Sequence, residues 1–280
     1  MPSAEITIET ILKSLDALAP FALAEDWDNV GLLVGALNAP VTGIMIGLDP
    51  TTSLLDEALS YGANLVITHH PVIFPSLKVI RTDQPAGAFI AKALTNTIGV
   101  IACHTNLDVA PRGVSHALAV LLGLTDAVPL SSAGSGDAGI GFGQIGFLAE
   151  PMSGSDFFAM LGKALKLPAL AVAGPIPDRV SRVALCGGSG SDLAIAAQAG
   201  GAHIYITAEV KHHVARWAEE VGFCVIDAGH FVTEAPISET LAPMLMAHLA
   251  SQDITIPVHV TENQKNPFSF FLTGNDQQTI

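Results

Sequence analysis

The 280-residue sequence has little positive charge and no long apolar run, and each shortage excludes a class of protein. Twelve lysines and arginines stand against 26 aspartates and glutamates, which gives a formal charge of -14, and the basic residues form no cluster. Such a surface repels nucleic acid and anionic membranes, so we expect neither as a partner. No apolar stretch approaches the roughly 18 to 20 residues that span a bilayer, which excludes an integral membrane protein.

Cysteine is also scarce. Cys103, Cys186 and Cys224 stand singly in apolar runs, and no CxxC pair occurs. Three isolated cysteines argue against a disulfide framework and favour reduced, buried thiols. The N-terminus has neither a basic region nor a small-residue cleavage site, so no signal peptide is expected and a cytoplasmic location is predicted.

The sequence is rich in hydrophobic residues and in histidine. Half of its residues are hydrophobic, only 14% are charged and the mean hydropathy is +0.49, which excludes a disordered chain. The length suits about two ordinary domains. Ten histidines are present, and most lie beside carboxylates in short clusters, a pattern that indicates metal binding.

An internal repeat organises the chain. Residues 41–68 align without a gap on residues 180–207, with seven identities in 28 positions, among them the Gly-Ala pairs at 62–63 and 201–202. Each copy passes from an apolar strand through a turn and an alanine-rich helix to a second apolar strand. Unrelated strand–helix–strand units look alike, but the shared Gly-Ala phase favours a true duplication. The unit predicts an α/β fold with a parallel sheet in each half.

The division between the halves is predicted in the Gly/Ser-rich stretch 131–143. Residues 1–130 would form the first α/β half, residues 131–143 a linker, and residues 144–280 the second α/β half with a polar C-terminal tail. The segment from Ser251 onward is expected to form a strand followed by that tail.

Four polar clusters follow predicted strands. Because ligands bind beyond the carboxyl ends of parallel strands, these clusters are candidate site residues. They are 68–71 (THHP), 104–108 (HTNLD), 209–213 with Glu209, His212 and His213, and 229–234 (GHFVTE). Any one histidine here is more often a structural, hydrogen-bonded residue than a ligand. Together the clusters carry more weight, since each follows a strand.

The imidazoles and carboxylates of these clusters suit Zn, Mn, Fe or Co. The pool consists of His69, His70, Asp108, His230 and Glu234. Five ligands exceed the usual three of one catalytic metal, whereas two ions bridged by one carboxylate would use all five. Three neutral imidazoles and two carboxylates on two divalent ions would leave a charge of about +2, which would attract a small anionic substrate.

Four strings resemble the Nif-three-like dinuclear metal-centre family, whose members are called "GTP cyclohydrolase 1 type 2 homolog": 25–32 (EDWDNVGL), 68–71 (THHP), 104–108 (HTNLD) and 229–234 (GHFVTE). The match runs in order across nearly the whole chain. The resemblance implies two similar, intertwined α/β/α halves with a dimetal centre between them, and a homohexamer. It also implies that His70 and Asp108 hold one metal, that His69 and His230 hold the other, and that Glu234 bridges them.

The chain departs from the family pattern at two positions. Ala208 stands where the family usually has glycine, which makes the local backbone conformation a question, and Phe231 replaces a frequent tyrosine. Neither is a predicted ligand.

Other residues allow two interpretations. Glu209 and His213 are candidates for a catalytic proton relay or for exposed structural residues. Asp28 and Asn29 could orient a ligand, but a turn that caps the next element is favoured. Cys103 is expected to lie in the core. The stretch 187–190 (GGSG) resembles a phosphate loop but lacks its lysine, so a tight turn is favoured.

The leading hypothesis is a metal-dependent hydrolase acting on a small anionic molecule, with GTP as the substrate that the resemblance implies. The alternative is a non-enzymatic metal-binding regulator or carrier that uses the same ligands. An interaction scaffold is a third reading of the high hydrophobicity, which subunit interfaces in a homo-oligomer explain more simply.

Overall fold

The computed structural model describes residues 5–132 and 139–269. The first run of elements has the order α-β-β-α-β-α-β-α. Its members are α1 (Ile8–Leu18), β1 (Gly31–Val34), β2 (Ile44–Gly47), α2 (Thr52–Ser60), β3 (Leu65–Thr68), α3 (Pro85–Thr95), β4 (Gly99–Ala102) and α4 (Thr105–Val109). Helix α5 (Val114–Leu121) and the antiparallel strands β5 (Leu124–Ser132) and β6 (Gly141–Ser153) follow.

The same order then repeats. The second run comprises α6 (Gly154–Ala164), β7 (Ala171–Ala173), β8 (Arg179–Ser189), α7 (Ala194–Ala199), β9 (Ile204–Ala208), α8 (His212–Val221), β10 (Cys224–Asp227) and α9 (His230–Glu234). Helix α10 (Pro236–Ala250) and strand β11 (Val258–Val260) complete the described elements. We call the two runs the first and second copy.

The strand register confirms the duplication. Strands β2 and β3 pair in parallel with Ile44 opposite Leu65, and strands β8 and β9 pair in parallel with Val183 opposite Ile204. Both members of the second pair lie 139 residues after their counterparts, which is the spacing of the repeat in the sequence. The fold is therefore α/β with two similar halves, as predicted.

Contact clustering divides the chain into two units that are each discontinuous in sequence. Unit 1 consists of residues 1–113 and 237–264, and unit 2 of residues 114–236 and 265–280. The sheet of unit 1 has the order β1-β4-β3-β2-β11, in which only β1 is antiparallel to its neighbour. The sheet of unit 2 has the order β5-β6-β8-β9-β10-β7, with β8, β9 and β10 parallel. A core of four strands thus recurs in the same spatial order.

This division corrects the predicted domain boundaries. Ser131 and Ser132 pair with Phe142 and Gly141 in the β5–β6 hairpin, so the described part of 131–143 belongs to a sheet; residues 133–138 lie outside the described residues. A Cβ on Gly141 would lie 2.1 Å from the carbonyl oxygen of Ser131. Glycine here permits close packing of two strands, and its presence therefore did not indicate a linker.

Residues 237–264 were predicted to belong to the second half, but they belong to unit 1. Strand β11 pairs in parallel with β2, so the strand expected after Ser251 exists and joins the sheet of the first copy. Among the described residues, no helix is both long and apolar enough to cross a membrane.

Both faces of the unit 2 sheet are covered, because neighbouring residues of a strand point to opposite sides. Ile204 and Ile206 of β9 pack with Phe157 and Leu161 of α6 on one face. Tyr205 points to the other face, where it packs among residues of α7 and α8. In unit 1 the corresponding strands pack against α2 and α3 around Phe89. These cores fix the strand ends from which the candidate ligands project.

Candidate metal centre

His69 and His70 lie directly after β3, where the strand ends in a tight turn. The Thr68 hydroxyl donates to the carbonyl oxygen of His70 at 2.8 Å, which folds the chain back at this point. The imidazole Nδ1 of His69 donates to the carbonyl oxygen of Cys103 at 2.8 Å. Because that oxygen can only accept, Nδ1 carries the proton and Nε2 of His69 presents its lone pair.

The same arrangement holds the other two rings of this cluster. Nδ1 of His70 donates to a carboxylate oxygen of Asp49 at 2.8 Å, and Nδ1 of His104 donates to Asp28 at 2.8 Å. Histidines that bind metals almost always donate their second ring nitrogen to a carboxylate or carbonyl oxygen in this way. All three histidines of this cluster are therefore in the tautomer in which Nε2 can bind a metal.

The three rings are close enough to share an ion. Their centroids are 5.0 Å apart for His69 and His70, 5.1 Å for His69 and His104, and 5.6 Å for His70 and His104. One ring nitrogen from each lies within 4.8 Å of the others. Asp108, on α4, places a carboxylate oxygen 3.6 Å from Nε2 of His69. The unit 1 cluster thus combines three imidazoles with one carboxylate.

The network around His104 keeps that ring neutral. Burial lowers the pKa of the His104 imidazole, the nearby His69 acts in the same direction, and the hydrogen bond to Asp28 only partly offsets both. Burial would raise the pKa of the Asp28 carboxyl, but hydrogen bonds from His104 and from Thr105 outweigh it and hold that pKa below its ordinary value. An ionised Asp28 beside a neutral imidazole is the pairing found behind metal ligands.

In unit 2 a single histidine lies between two carboxylates. Nε2 of His230 is 3.0 Å from Glu234, one turn further along α9, and Nδ1 of His230 is 3.1 Å from Glu209. Glu234 is buried, whereas the Glu209 side chain is 60% exposed. The predicted i, i+4 relation of His230 and Glu234 on one helix face is confirmed.

The glycine-rich stretch 187–190 makes room for this group. A Cβ on Gly188, whose φ is +63°, would lie 2.0 Å from Oε1 of Glu234. The amide of Gly188 donates to the Thr233 hydroxyl at 3.0 Å, and its carbonyl accepts from the Thr207 hydroxyl at 3.0 Å. These glycines let the end of β8 pack closely against α9, and the resemblance to a phosphate loop has no structural basis.

The alanine at position 208, where the family usually has glycine, does not take the left-handed backbone conformation; the next residue, Glu209, does. Ala208 is the last residue of β9 and is fully buried, and the left-handed conformation falls on Glu209, with φ of +54°. A non-glycine residue in that region is strained, and such strain concentrates at functional sites. Glu209 is held in this conformation while its carboxylate contacts His230.

Three other residues were singled out from the sequence: His213, Asn29 and Cys103. His213 lies exposed in the first turn of α8, near Asp192, whose carboxyl pKa is lowered chiefly by Lys211 and slightly by His213. Its catalytic role stays a prediction. Asn29 donates through its side chain to the carbonyl of Ile73 and anchors a loop. Cys103 lies in the core as expected, where burial raises its pKa to about 12.

Two contributors were not identified from the sequence as part of the metal site, namely Asp49 and the ring of His104. Asp49 follows β2, and its position after a strand was the signal that could have found it. His104 opens a recognised cluster but was not placed among the ligands. That the unit 1 cluster and the His230–Glu234 pair form one dinuclear centre stays a prediction, which rests on the sequence motifs.

Together the fold and these side chains define a class: a duplicated α/β protein whose strand ends carry imidazole and carboxylate groups able to hold a metal. A family model described as Duf34/NIF3 (NGG1p interacting factor 3) matches residues 6–267, and the chain belongs to this family. The predicted family is thereby confirmed.

Relatives and solved structures agree with this assignment. Proteins named "GTP cyclohydrolase 1 type 2 homolog" from Clostridium acetobutylicum and Streptomyces coelicolor are 31% and 32% identical to the chain. The matches cover 95% and 94% of this chain and 99% and 93% of those proteins. A crystal structure of a Staphylococcus aureus hypothetical protein has a TM-score of 0.90 at 30% identity and covers 95% of this chain and 99% of that one. A Bacillus cereus protein related to NIF3 has a TM-score of 0.89 at 26% identity, with coverage of 96% and 100%.

Proposed function

We propose that the chain is a dinuclear-metal-dependent hydrolase that acts in the cytoplasm on a small anionic substrate. The observation that carries the proposal is the cluster of His69, His70 and His104: one ring nitrogen of each lies within 4.8 Å of the others, and each Nδ1 is hydrogen-bonded to an oxygen. GTP is the first substrate to test, because the relatives from C. acetobutylicum and S. coelicolor carry the name GTP cyclohydrolase 1 type 2 homolog.

The proposed ligand set follows the sequence motifs. His70 and Asp108 would hold one divalent ion, His69 and His230 the other, and Glu234 would bridge the two. His104 is a further candidate for a ligand position in the unit 1 cluster. Imidazole and carboxylate donors suit Zn, Fe, Mn and Co alike, so the donor set fits the class of metal without selecting one.

The chain's own residues supply orientation and proton handling. When bound, two divalent ions would polarise the substrate and lower the pKa of coordinated water. Asp49 and Asp28 accept hydrogen bonds from Nδ1 of His70 and His104, which fixes the orientation of each ring. Glu209 is exposed beside His230 and is proposed to accept a proton, which the exposed His213 would pass to solvent.

Metal stoichiometry tests the centre directly. Elemental analysis of protein purified without a histidine tag is expected to give close to two ions per chain. The double variant His70→Ala/Asp108→Ala should lose metal, whereas His248→Ala, which removes a histidine of α10, should retain it. No metal after soaking in Zn²⁺, Mn²⁺, Fe²⁺ and Co²⁺ would refute the proposed centre.

Turnover separates the enzyme from the metal carrier. A panel of nucleotides that includes GTP should be converted by the wild type and not by Glu234→Ala. Reversible transfer of metal to an apo-acceptor, without turnover of any compound, would instead establish the non-enzymatic regulator or carrier.

We also propose that the chain forms a homo-oligomer, with a hexamer as the state implied by the family resemblance. Large apolar side chains on its surface support an interface between copies: Val79 is 69% exposed, Ile80 62% and Ile195 62%. Light scattering should give the mass of six chains, and a clean monomer would contradict the proposal.

A further inference from the structure

Unit 2 contains a cleft of about 570 Å³ beside His230, a size within the range of small-molecule pockets. Its polar side is formed by Glu209, Asp227 and His230, at the ends of β9 and β10. Its apolar side is formed by Leu167, Leu170 and Phe268. The stretch after residue 264, predicted to be a polar tail, therefore contributes to a wall of the cleft through Asn266 and Phe268.

The charges in this cleft restrict what can occupy it. Two carboxylates line it, and none of its lining residues in the described part of the chain is a lysine or an arginine. Asp227 accepts from the amides of Val210 and Gly229, at 2.8 and 3.1 Å, which fixes its carboxylate in place. A polyphosphate would meet these negative charges with no lysine or arginine of the lining to offset them, whereas a hydrogen-bond donor would be attracted.

The apolar side favours a flat, uncharged group. Phe268 is 78% exposed, so most of its surface is available to another molecule. Leu167 and Leu170 complete a surface against which a ring can lie, and aromatic side chains bind planar rings through stacking. The cleft therefore pairs a surface for a ring with acceptors for the donors at the ring's edge.

We propose that this cleft binds an uncharged ring that carries hydrogen-bond donors, of the nucleobase kind, and that any phosphate of the same substrate lies outside it. The proposal rests on the proposed function, because it supposes that the ring belongs to the molecule hydrolysed next to His230. Phe268 would be a specificity-determining residue that contacts the ring, and Glu209 would accept from its edge.

Titration calorimetry on the metal-loaded full chain tests this, with guanosine, adenosine, cytidine and inorganic triphosphate as probes. At least one nucleoside should bind to the wild type. Phe268→Ala and Leu170→Ala should each weaken its binding about tenfold, and Phe268→Tyr should restore it. Binding of inorganic triphosphate should be the same in all variants. Phe147→Ala is the matched control, because it removes an exposed phenylalanine of unit 2 that does not line the cleft.

Four readouts decide the outcome. Failure of all three nucleosides to bind, or binding that Phe268→Ala and Leu170→Ala leave unchanged, would overturn the proposal. A change in oligomeric mass of Phe268→Ala without a change in nucleoside affinity would assign the surface to an interface between copies and also overturn it. Equal metal content in all variants should accompany the expected result. Nucleoside binding that depends on Phe268, with no turnover of any nucleotide, would support the cleft and refute only the hydrolase.

Discussion

In the first copy, His69 and His70 follow directly after strand β3; in the second copy, the corresponding positions hold Ala208, the last residue of β9, and Glu209. Helices α4 and α9 correspond as well, since each has five residues and begins directly after His104 or its counterpart Gly229. The backbone frame is thus common to the copies, while the side chains just beyond the strands differ.

A second difference lies at the end of the first strand of each repeat. Asp49 in the first copy corresponds to Gly188 in the second, at the same spacing of 139 residues. Asp49 holds the ring of His70, whereas Gly188 leaves space for the carboxylate of Glu234. One position therefore supplies a hydrogen-bond acceptor in one copy and room for a ligand in the other.

The comparison separates two kinds of constraint. Buried strands and helices fix where a strand ends, and a change there disturbs packing in either copy. Residues at and beyond the strand ends, such as His69 and its counterpart Ala208, differ between the copies while the strand pairing stays the same. The cluster of the first copy has three imidazoles and that of the second copy has one, and the predictions below test each kind of constraint in turn.

The largest effect is expected on stability, from substitutions in the buried helices that both copies share. Helices α1 and α6 have 11 residues each, and Leu15 and Leu161 hold the same position in them, both almost fully buried. Leu15→Ala and Leu161→Ala should each lower the free energy of unfolding by about 2–5 kcal/mol, since each leaves a cavity. Denaturant titration measures this, with the exposed Leu94 of α3 as the control position. A cost below 1 kcal/mol at either leucine would break the equivalence of the two frames.

Next in size are the residues that hold the ligand rings. Asp49→Ala should weaken metal binding about 10–100-fold, because His70 loses the acceptor that fixes its tautomer and orientation. Glu209→Ala should have a smaller effect, since that side chain is largely exposed. Competition with a chromophoric chelator gives both affinities. Asp56→Ala is the control, because Asp56 is a surface carboxylate paired with Lys92. Equal effects at Asp49 and Asp56 would show that His70 needs no partner.

A third prediction compares two glycines in the left-handed region. Gly62→Ala, at φ of +70° with nothing within 4 Å of the added Cβ, should cost about 1 kcal/mol through backbone conformation alone. Gly188→Ala adds a contact with Glu234 and should cost roughly 1 kcal/mol more, with weaker metal binding. Thermal denaturation and metal titration measure the excess. If the two variants behave alike, Gly188 is needed only for its backbone conformation.

Much of this arrangement follows from local sequence. The apolar strands and the Gly-Ala pairs at 62–63 and 201–202 identified the duplicated units. The polar residues after each strand identified the five candidate ligands. Asp49 could not be linked to His70 in this way, because their contact depends on which strands become neighbours in the sheet. The hydrogen bonds of Asp28 to His104 and Thr105 likewise join residues 76 and 77 positions apart.

The domain division was also beyond local sequence. Helix α5 follows the first copy in sequence but belongs to unit 2. Helix α10 follows the second copy in sequence, but all of it except Pro236 belongs to unit 1. A helix that leaves one copy in sequence can thus complete the other, and only packing decides between them. Gly141 was interpreted as part of a linker for the same reason, because its close contact with Ser131 of the paired strand is not visible in the local sequence.

The last prediction, whose effect is confined to alkaline pH, concerns the packing of the second copy. Burial raises the pKa of the Cys224 thiol to about 11, above the roughly 8.5 of an unfolded cysteine. The folded chain therefore holds this proton more tightly than the unfolded chain, so the contribution of Cys224 to stability is complete below pH 8.5 and is lost as the pH rises toward 11. The free energy of unfolding should fall more steeply over this window in the wild type than in Cys224→Ala. Parallel curves for the two proteins would mean that the thiol is equally accessible to solvent in both states, and that the strand β10 which contains it is not part of a tightly packed frame.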